Sequence, residues 1–320
     1  MSERTHPEQP KDEPTGIAVF TPSPLFTVTI EEEGDDCEVH FHAGGQGFWV
    51  ARMAIILDER ATLCGPFAGE SGRVLRVLMQ AEGVRVRATT SSRSNGGYVH
   101  DRRGGERRAI AVTPSPDLSR HETDDLYNAA LTTGLSAKVM VLTGPRQPSI
   151  IKADVYRRLA LDLSSNGVMV VADLSGEALA ALEKGVDLLK VSHEELVEGG
   201  FATDERPKSL ASAAAAFLEK GARSMIVSRA DEPALVFVGD ETYELHVPKL
   251  HPADHRGAGD SMTAASAVGL ARGWPIEQAL RLGGAAGALN VTRHGLATGD
   301  RRDIEALVDR IELRRVSAQR

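Results

Sequence analysis

From residue 138 onward, short aliphatic runs alternate with stretches of helical spacing, and this alternation limits the fold more than any other feature of the chain. Residues 138–143, 168–173, 188–192 and 225–228 are apolar enough to be strands buried on both faces. Helical spacing fills 151–165, 176–184 and 207–220 between them. Such repetition predicts an α/β fold with a mostly parallel central sheet flanked by helices, in which ligands gather at the carboxyl ends of the strands. Gly144, Asp173, Ser192 and Ser228 occupy those ends.

The first third of the chain follows a different pattern. Residues 25–43 alternate around Val28, Ile30, Val39 and Phe41, with an acidic, glycine-containing turn at 31–36, as in an antiparallel hairpin. A second alternating region spans 84–112, with a turn expected at 103–106, and helical spacing covers 50–57 and 72–82. The alternating regions either extend the main sheet or form a small sheet of their own. On the second reading, 15–24, 44–83 and 114–320 make the α/β domain, and 25–43 with 84–113 make a small β-sheet lid.

The 320 residues, 42% of them hydrophobic, suffice for one large domain with an elaboration. A formal net charge of −8 argues against general nucleic-acid binding, which needs clustered Lys and Arg. Two cysteines, Cys37 and Cys64, cannot build a disulfide framework or a closed zinc site, which fits a cytoplasmic protein. Residues 1–14 are polar and proline-containing and are expected to be a disordered tail, not a signal peptide. No apolar run approaches the roughly 20 residues that span a bilayer, so no membrane contact is expected.

Chemistry concentrates in residues 255–273, HRGAGDSMTAASAVGLARG. Gly257, Ala258 and Gly259 let backbone N–H groups come close to a phosphate, and the following helix directs its positive end to the same place. Asp260 repels that phosphate unless it caps the helix or takes a proton from an attacking hydroxyl. Both roles stay open, and the combination reads as a phosphoryl-transfer site.

The run Gly-Ala-Gly-Asp followed by Ser261, Thr263, Ala264, Ala265 and Ser266 resembles the C-terminal signature of the ribokinase-like, phosphofructokinase B carbohydrate kinases. Residues 42–52, HAGGQGFWVAR, resemble the family's N-terminal Gly-Gly-x-Gly-x-Asn-Val-Ala-Arg motif through Gly44, Gly45, Gly47, Val50, Ala51 and Arg52. Arg93-Ser94-Asn95 and VADLSGEAL at 171–179 are similar to the 1-phosphofructokinase and tagatose-6-phosphate kinase branch. LKVSHEEL at 189–196 is similar to Lys-Pro-Asn-x-x-Glu-Leu, Ser228 matches the head of a nucleotide-lining turn, and 283–290 with His294-Gly295 resemble the helix and turn over the adenine.

The resemblance implies an ATP- and Mg2+-dependent kinase of a sugar or sugar phosphate. Asp260 would be its base, and Gly257, Ala258 and Gly259 its anion hole. Lys190, Ser228 and Asn290 would serve the nucleotide and Glu195 the magnesium. Gly44, Gly45, Trp49, Arg93 and Asn95 would serve the substrate, with Arg93 holding its phosphate or standing as a solvated arginine. Relatives often form dimers through the small sheet, so a homodimer is expected.

Several positions depart from the family pattern. Trp49 replaces the sugar-binding asparagine, and Leu25 or Phe26 stands where relatives carry the sugar-binding aspartate. Ser192 replaces the asparagine of the magnesium motif, Ala230 and Pro233 replace glycines of the nucleotide turn, and Arg146 enters the loop at 143–148. These departures motivate two rival readings: a degenerate kinase fold that binds or senses a ligand, and a kinase for a less polar acceptor such as a nucleoside.

Overall fold

The computed structural model describes residues 15–316 apart from 35, 105–107, 252 and 294. The expected tail at 1–14, residues 105 and 106 of the expected turn and His294 lie outside the described residues.

The chain opens with β1 (Thr15–Phe20), whose alternate residues serve opposite faces: Ile17 and Val19 join one hydrophobic cluster, Ala18 and Phe20 the other. All four are fully buried, each larger side chain contributing roughly 1.5–3 kcal/mol relative to exposure. A hairpin follows, β2 (Leu25–Glu33) and β3 (Asp36–Gly44), then α1 (Gln46–Ile56), β4 (Ala61–Pro66), α2 (Gly69–Ala81) and β5 (Arg85–Thr89). Next come β6 (Gly97–Asp101), β7 (Arg108–Thr113), α3 (Arg120–Leu135), β8 (Ala137–Thr143), α4 (Asp154–Ser165), β9 (Met169–Asp173) and α5 (Gly176–Ala180). The chain continues through β10 (Leu188–Ser192), α6 (His193–Glu198), α7 (Pro207–Lys220), β11 (Ser224–Arg229), β12 (Glu232–Val238) and β13 (Glu241–His246). It closes with α8 (Ala258–Ala271), α9 (Ile276–Asn290), α10 (Arg301–Val308) and β14 (Glu312–Arg315).

Ten strands form the main sheet in the order β14-β13-β12-β11-β10-β9-β8-β1-β4-β5. The seven from β5 to β11 are parallel, and the hairpin partners β12, β13 and β14 are antiparallel. One face packs on α1, α8 and α9, the other on α3, α4 and α7. From β1 the chain first builds outward through β4 and β5, then returns to β8 on the other side and builds the opposite way. This reversal beside β1 opens a crevice at the carboxyl ends of β1, β8, β9 and β10.

The second sheet has the order β3-β2-β6-β7, with β2 and β6 parallel and both outer pairs antiparallel. Residues 84–89 were expected in this small sheet, and the structure corrects that. β5 pairs with β4 in the main sheet, Thr62 opposite Arg85 through Pro66 opposite Thr89. Val84 is buried and Val86 packs on the core while Arg85 and Arg87 face outward. Alternation marks a half-buried strand, and an edge strand of either sheet satisfies it equally.

Buried Asn95 joins the two sheets just before β6. Its Oδ1 accepts from the Ala68 N–H at 2.9 Å, and its Nδ2 donates to the Pro66 and Pro24 carbonyls at 2.9 and 3.3 Å. Removing the carboxamide strands three buried backbone groups. Asn95→Ala is therefore expected to lower the unfolding free energy by about 3 kcal/mol, read as a lower urea midpoint at unchanged slope.

Candidate active site

Three backbone choices build the floor of the crevice. Gly257 takes φ 78°, a left-handed conformation that turns the chain into α8 and leaves the first N–H groups of the helix facing the crevice. Gly259 makes room for Lys190: a Cβ added there would lie 2.6 Å from Nζ. Asp260 then falls in the first turn of α8, among the residues lining a cavity of about 340 Å³.

A buried polar network fixes the helix to the sheet. Lys190 Nζ lies 3.3 Å from Asp173 Oδ1, and Thr263 Oγ1 donates to Asp173 Oδ2 at 2.6 Å. Thr263 sits one turn after Asp260, so the network sets the position of the Asp260 carboxylate against β9 and β10. Gln46, first residue of α1, accepts from the Gly144 N–H at 2.9 Å and hydrogen-bonds through its side chain to Asp260. Gln46 thereby ties Asp260 to the end of β8.

Three carboxylates, Asp173, Glu195 and Asp260, surround the Lys190 ammonium. Burial alone would lower the Lys190 pKa, yet Asp173, Glu195 and Asp260 outweigh burial and raise it. Lys190 therefore stays charged. Burial and then the Asp173 charge push Asp260 up to about 7, against the pull of Lys190. A carboxylate poised near neutrality is suited to accept a proton.

Glu195 lines the cavity and closes a capping box on α6: its Oε2 accepts from the Ser192 N–H at 2.8 Å, and Ser192 Oγ accepts from the Glu195 N–H at 3.1 Å. Ser192, in the place of the expected asparagine, thus acts as a helix cap. The other carboxylate oxygen of Glu195, Oε1, can face a hydrated cation. Among the described residues no cluster of three or more side chains could hold a metal alone, so such an ion needs water and ligand oxygens besides Glu195.

Gly44, Gly45 and Trp49 line the cavity as expected, beside Leu25, which stands at the site of the missing aspartate. Phe26 points to the other face of the strand and stacks on Phe41 at 6.0 Å. Ser228 lies outside the cavity, with its carbonyl 3.1 Å from His193 Nδ1. Ala230 takes φ 45°, so the nucleotide turn keeps a left-handed residue without glycine.

Asn290 lies away from the cavity wall; it is fully buried, its Nδ2 donates to the Arg256 carbonyl at 2.7 Å, and its Oδ1 has no partner. It pins the segment that enters the anion turn. Arg93 and Asn95 do not line the cavity: Arg93 is exposed on the loop before β6, and the Asn95 carboxamide is fully engaged by backbone. The Arg-x-Asn resemblance assigns both to the substrate; in the structure the Asn95 carboxamide is taken up by backbone groups at Ala68, Pro24 and Pro66.

Gln46, Ser23, Thr27 and Tyr98 line the cavity but were not singled out by the sequence, and Thr263, which the sequence marks only as part of the signature after Asp260, bonds Asp173. The polar Gln46 among glycines at a helix start and Thr263 three residues after Asp260 are usable signals. Tyr98 has none, because only the pairing of β2 with β6 brings it over the crevice.

Residues 28–302 match the model of the pfkB family carbohydrate kinases. The chain is 32% identical over 269 residues to the ATP-dependent 6-phosphofructokinase isozyme 2 of Mycobacterium tuberculosis, covering 83% of this chain and 78% of that protein. It is 27% identical over 261 residues to the 1-phosphofructokinase of Bacillus subtilis, covering 80% and 84%. The crystal structure of phosphofructokinase-2 from Escherichia coli in complex with potassium matches with a TM-score of 0.81 at 25% identity, covering 92% of this chain and 99% of that one. The chain belongs to the pfkB family of carbohydrate kinases.

Proposed function

We propose that this chain is an ATP- and Mg2+-dependent kinase that transfers the γ-phosphoryl group to a hydroxyl of a sugar phosphate. The observation that carries the reading is Asp260, held in the first turn of α8 between the Gly257–Gly259 turn and the buried Lys190. Magnesium-bound ATP supplies the phosphoryl group, and its cation screens the phosphate charge. Lys190 and the N–H groups of Ala258, Gly259 and Asp260 hold that charge from the protein side, while Glu195 supports the ion through water. Asp260 takes the proton from the acceptor hydroxyl, and Gln46 with Thr263 keep its helix in place. Ser228 stands at a strand end on the nucleotide side, and Asn290 acts through the Arg256 carbonyl.

Leu25 and Trp49 make an apolar wall, which favours as a second reading an acceptor with few hydroxyls on that face, such as a nucleoside. No described helix is long and apolar enough to cross a membrane, and the reading places the enzyme in the cytoplasm.

Release of ADP with Mg-ATP is expected for at least one of fructose 6-phosphate, fructose 1-phosphate, tagatose 6-phosphate or a nucleoside. Asp260→Asn is expected to lower kcat by about 10³-fold. A folded protein silent on the whole panel would instead favour the degenerate, ligand-sensing reading. For the wild type, kcat/KM should fall about tenfold per pH unit below about 7, as Asp260 becomes protonated.

The same group sets a stability signature. Its folded pKa of about 7 lies above the unfolded value of about 3.8, so its protonated form favours folding and that contribution is lost as pH rises between those values. Asp260→Asn removes the loss. Thermal unfolding should therefore show the variant gaining on the wild type from pH 5 to pH 8, with a flat difference above that.

A second copy of the chain is the proposed partner of the small sheet. Val39 and Phe41 are 45% and 56% exposed on β3, on the face opposite Thr27 and Tyr98. The Escherichia coli relative has been solved in a tetrameric inhibited form. Light scattering is expected to give the mass of two chains for the wild type and one for Phe41→Glu.

A further inference from the structure

Arg146 sits where the loop after β8 meets the small sheet. Two hydrogen bonds fix its backbone: the Gly144 N–H donates to Gln46 Oε1 at 2.9 Å, and the Arg146 N–H donates to Ser23 Oγ at 3.1 Å. The guanidinium lies over the Tyr98 ring, 4.5 Å from its centroid. Tyr98 is held in turn against His100, with ring centroids 5.3 Å apart.

Most arginines near the crevice have carboxylate partners: Arg102 has Glu31, Arg256 has Asp254, and Arg52 has Glu82. Arg146 has no ion pair with any described carboxylate. A guanidinium placed over a ring and without a carboxylate partner keeps donors for another anion, and those donors match phosphate oxygens two at a time. Its line of approach is the same cavity that Asp260 lines, with the Ser23 and Thr27 side chains on the wall between. One molecule can therefore place a hydroxyl at Asp260 and an anionic end at Arg146.

We propose that Arg146, seated over the Tyr98 ring, is the residue that recognises the phosphate of a phosphorylated acceptor sugar, in place of Arg93, which does not line the cavity. This rests on the kinase reading for the identity of the acceptor, but its test does not require turnover. It assigns the acceptor an orientation. The phosphate lies under the small sheet beside Tyr98 and Ser23, the sugar ring passes the Leu25 and Trp49 wall, and the reacting hydroxyl reaches Asp260.

Calorimetric titration of the full chain with fructose 6-phosphate, fructose 1-phosphate and unphosphorylated fructose tests this directly. For the wild type, at least one phosphorylated sugar is expected to bind about tenfold or more tighter than fructose. Arg146→Gln should weaken that sugar phosphate by about 10- to 100-fold and leave fructose within twofold. Arg146→Lys, which keeps the charge but not the planar fork, should recover only part of the loss. Arg93→Gln should stay within twofold of the wild type for every ligand.

The proposal is overturned if neither phosphorylated sugar is preferred over fructose, if Arg146→Gln binds as the wild type does, or if Arg93→Gln causes the larger loss. ADP release on the same panel separates this outcome from the kinase reading. Binding that depends on Arg146 without turnover would refute catalysis and keep the anion contact. Turnover with an unchanged KM in Arg146→Gln would do the reverse.

Discussion

The site depends on an imbalance of buried charge. Lys190 is the single ammonium among Asp173, Glu195 and Asp260, and Asp173 already spends one oxygen on Lys190 and the other on Thr263. Ionising all three carboxylates would leave an excess of negative charge in a crevice that burial has partly stripped of water. The protein resolves this by holding the proton of Asp260 up to a pKa of about 7. A loose base at the ordinary carboxylate value would be ionised at neutral pH but weakly basic; burial, and after it the crowding by Asp173, exchange some ionisation for basicity. It also sets a condition on the nucleotide. Polyphosphate can approach such a crevice only with its own cation, since one lysine and a helix end do not offset both the carboxylates and the phosphates.

Much of this was legible in the sequence because it depends on local rules. Strands buried on both faces, such as β8 and β9, read as continuous apolar runs. The turn at Gly257–Gly259 needs small residues for reasons that hold in any fold: a left-handed φ at Gly257, and at Gly259 a neighbour too close for a Cβ. What was not legible depends on which strand meets which. The same two-residue period describes β5 in the main sheet and β6 in the small one, and nothing in RVRAT or GYVHD says which sheet claims it. Arg93 and Asn95 show the same limit in side chains. Their spacing suited a substrate contact, but the Asn95 carboxamide meets the backbone at Pro24, Pro66 and Ala68, three points that only the tertiary fold brings together.

The substitutions in this chain cluster by side of the cleft, and the two sides have responded differently. On the side that the proposed reaction gives to the nucleotide, the replacements still make a cap and a left-handed turn. Ser192 still caps α6 and leaves Glu195 in the cavity, and Ala230 still adopts φ 45°, a strain of about 1 kcal/mol that glycine would not carry. On the acceptor side the replacements change the chemistry. Leu25 and Trp49 exchange hydrogen-bonding groups for apolar surface, and Arg146 adds a charge. A hydrogen-bonding wall that becomes apolar stops rewarding hydroxyls at that face, so discrimination must move to another part of the ligand.

That shift explains why the small sheet matters to chemistry as well as to shape. Its β2 contributes Leu25 and Thr27, and β6 contributes Tyr98, so the Leu25 half of the apolar wall and the ring beneath Arg146 come from one sheet, while Trp49 faces them from α1. The main sheet supplies Asp260 and Lys190 through α8 and β10. Asn95 couples the two, because its three hydrogen bonds fix the approach of β6 to the end of β4 and to the link between β1 and β2. A residue expected to touch substrate therefore acts one step back in the proposed reaction, fixing the small sheet that carries Tyr98 against the end of β4.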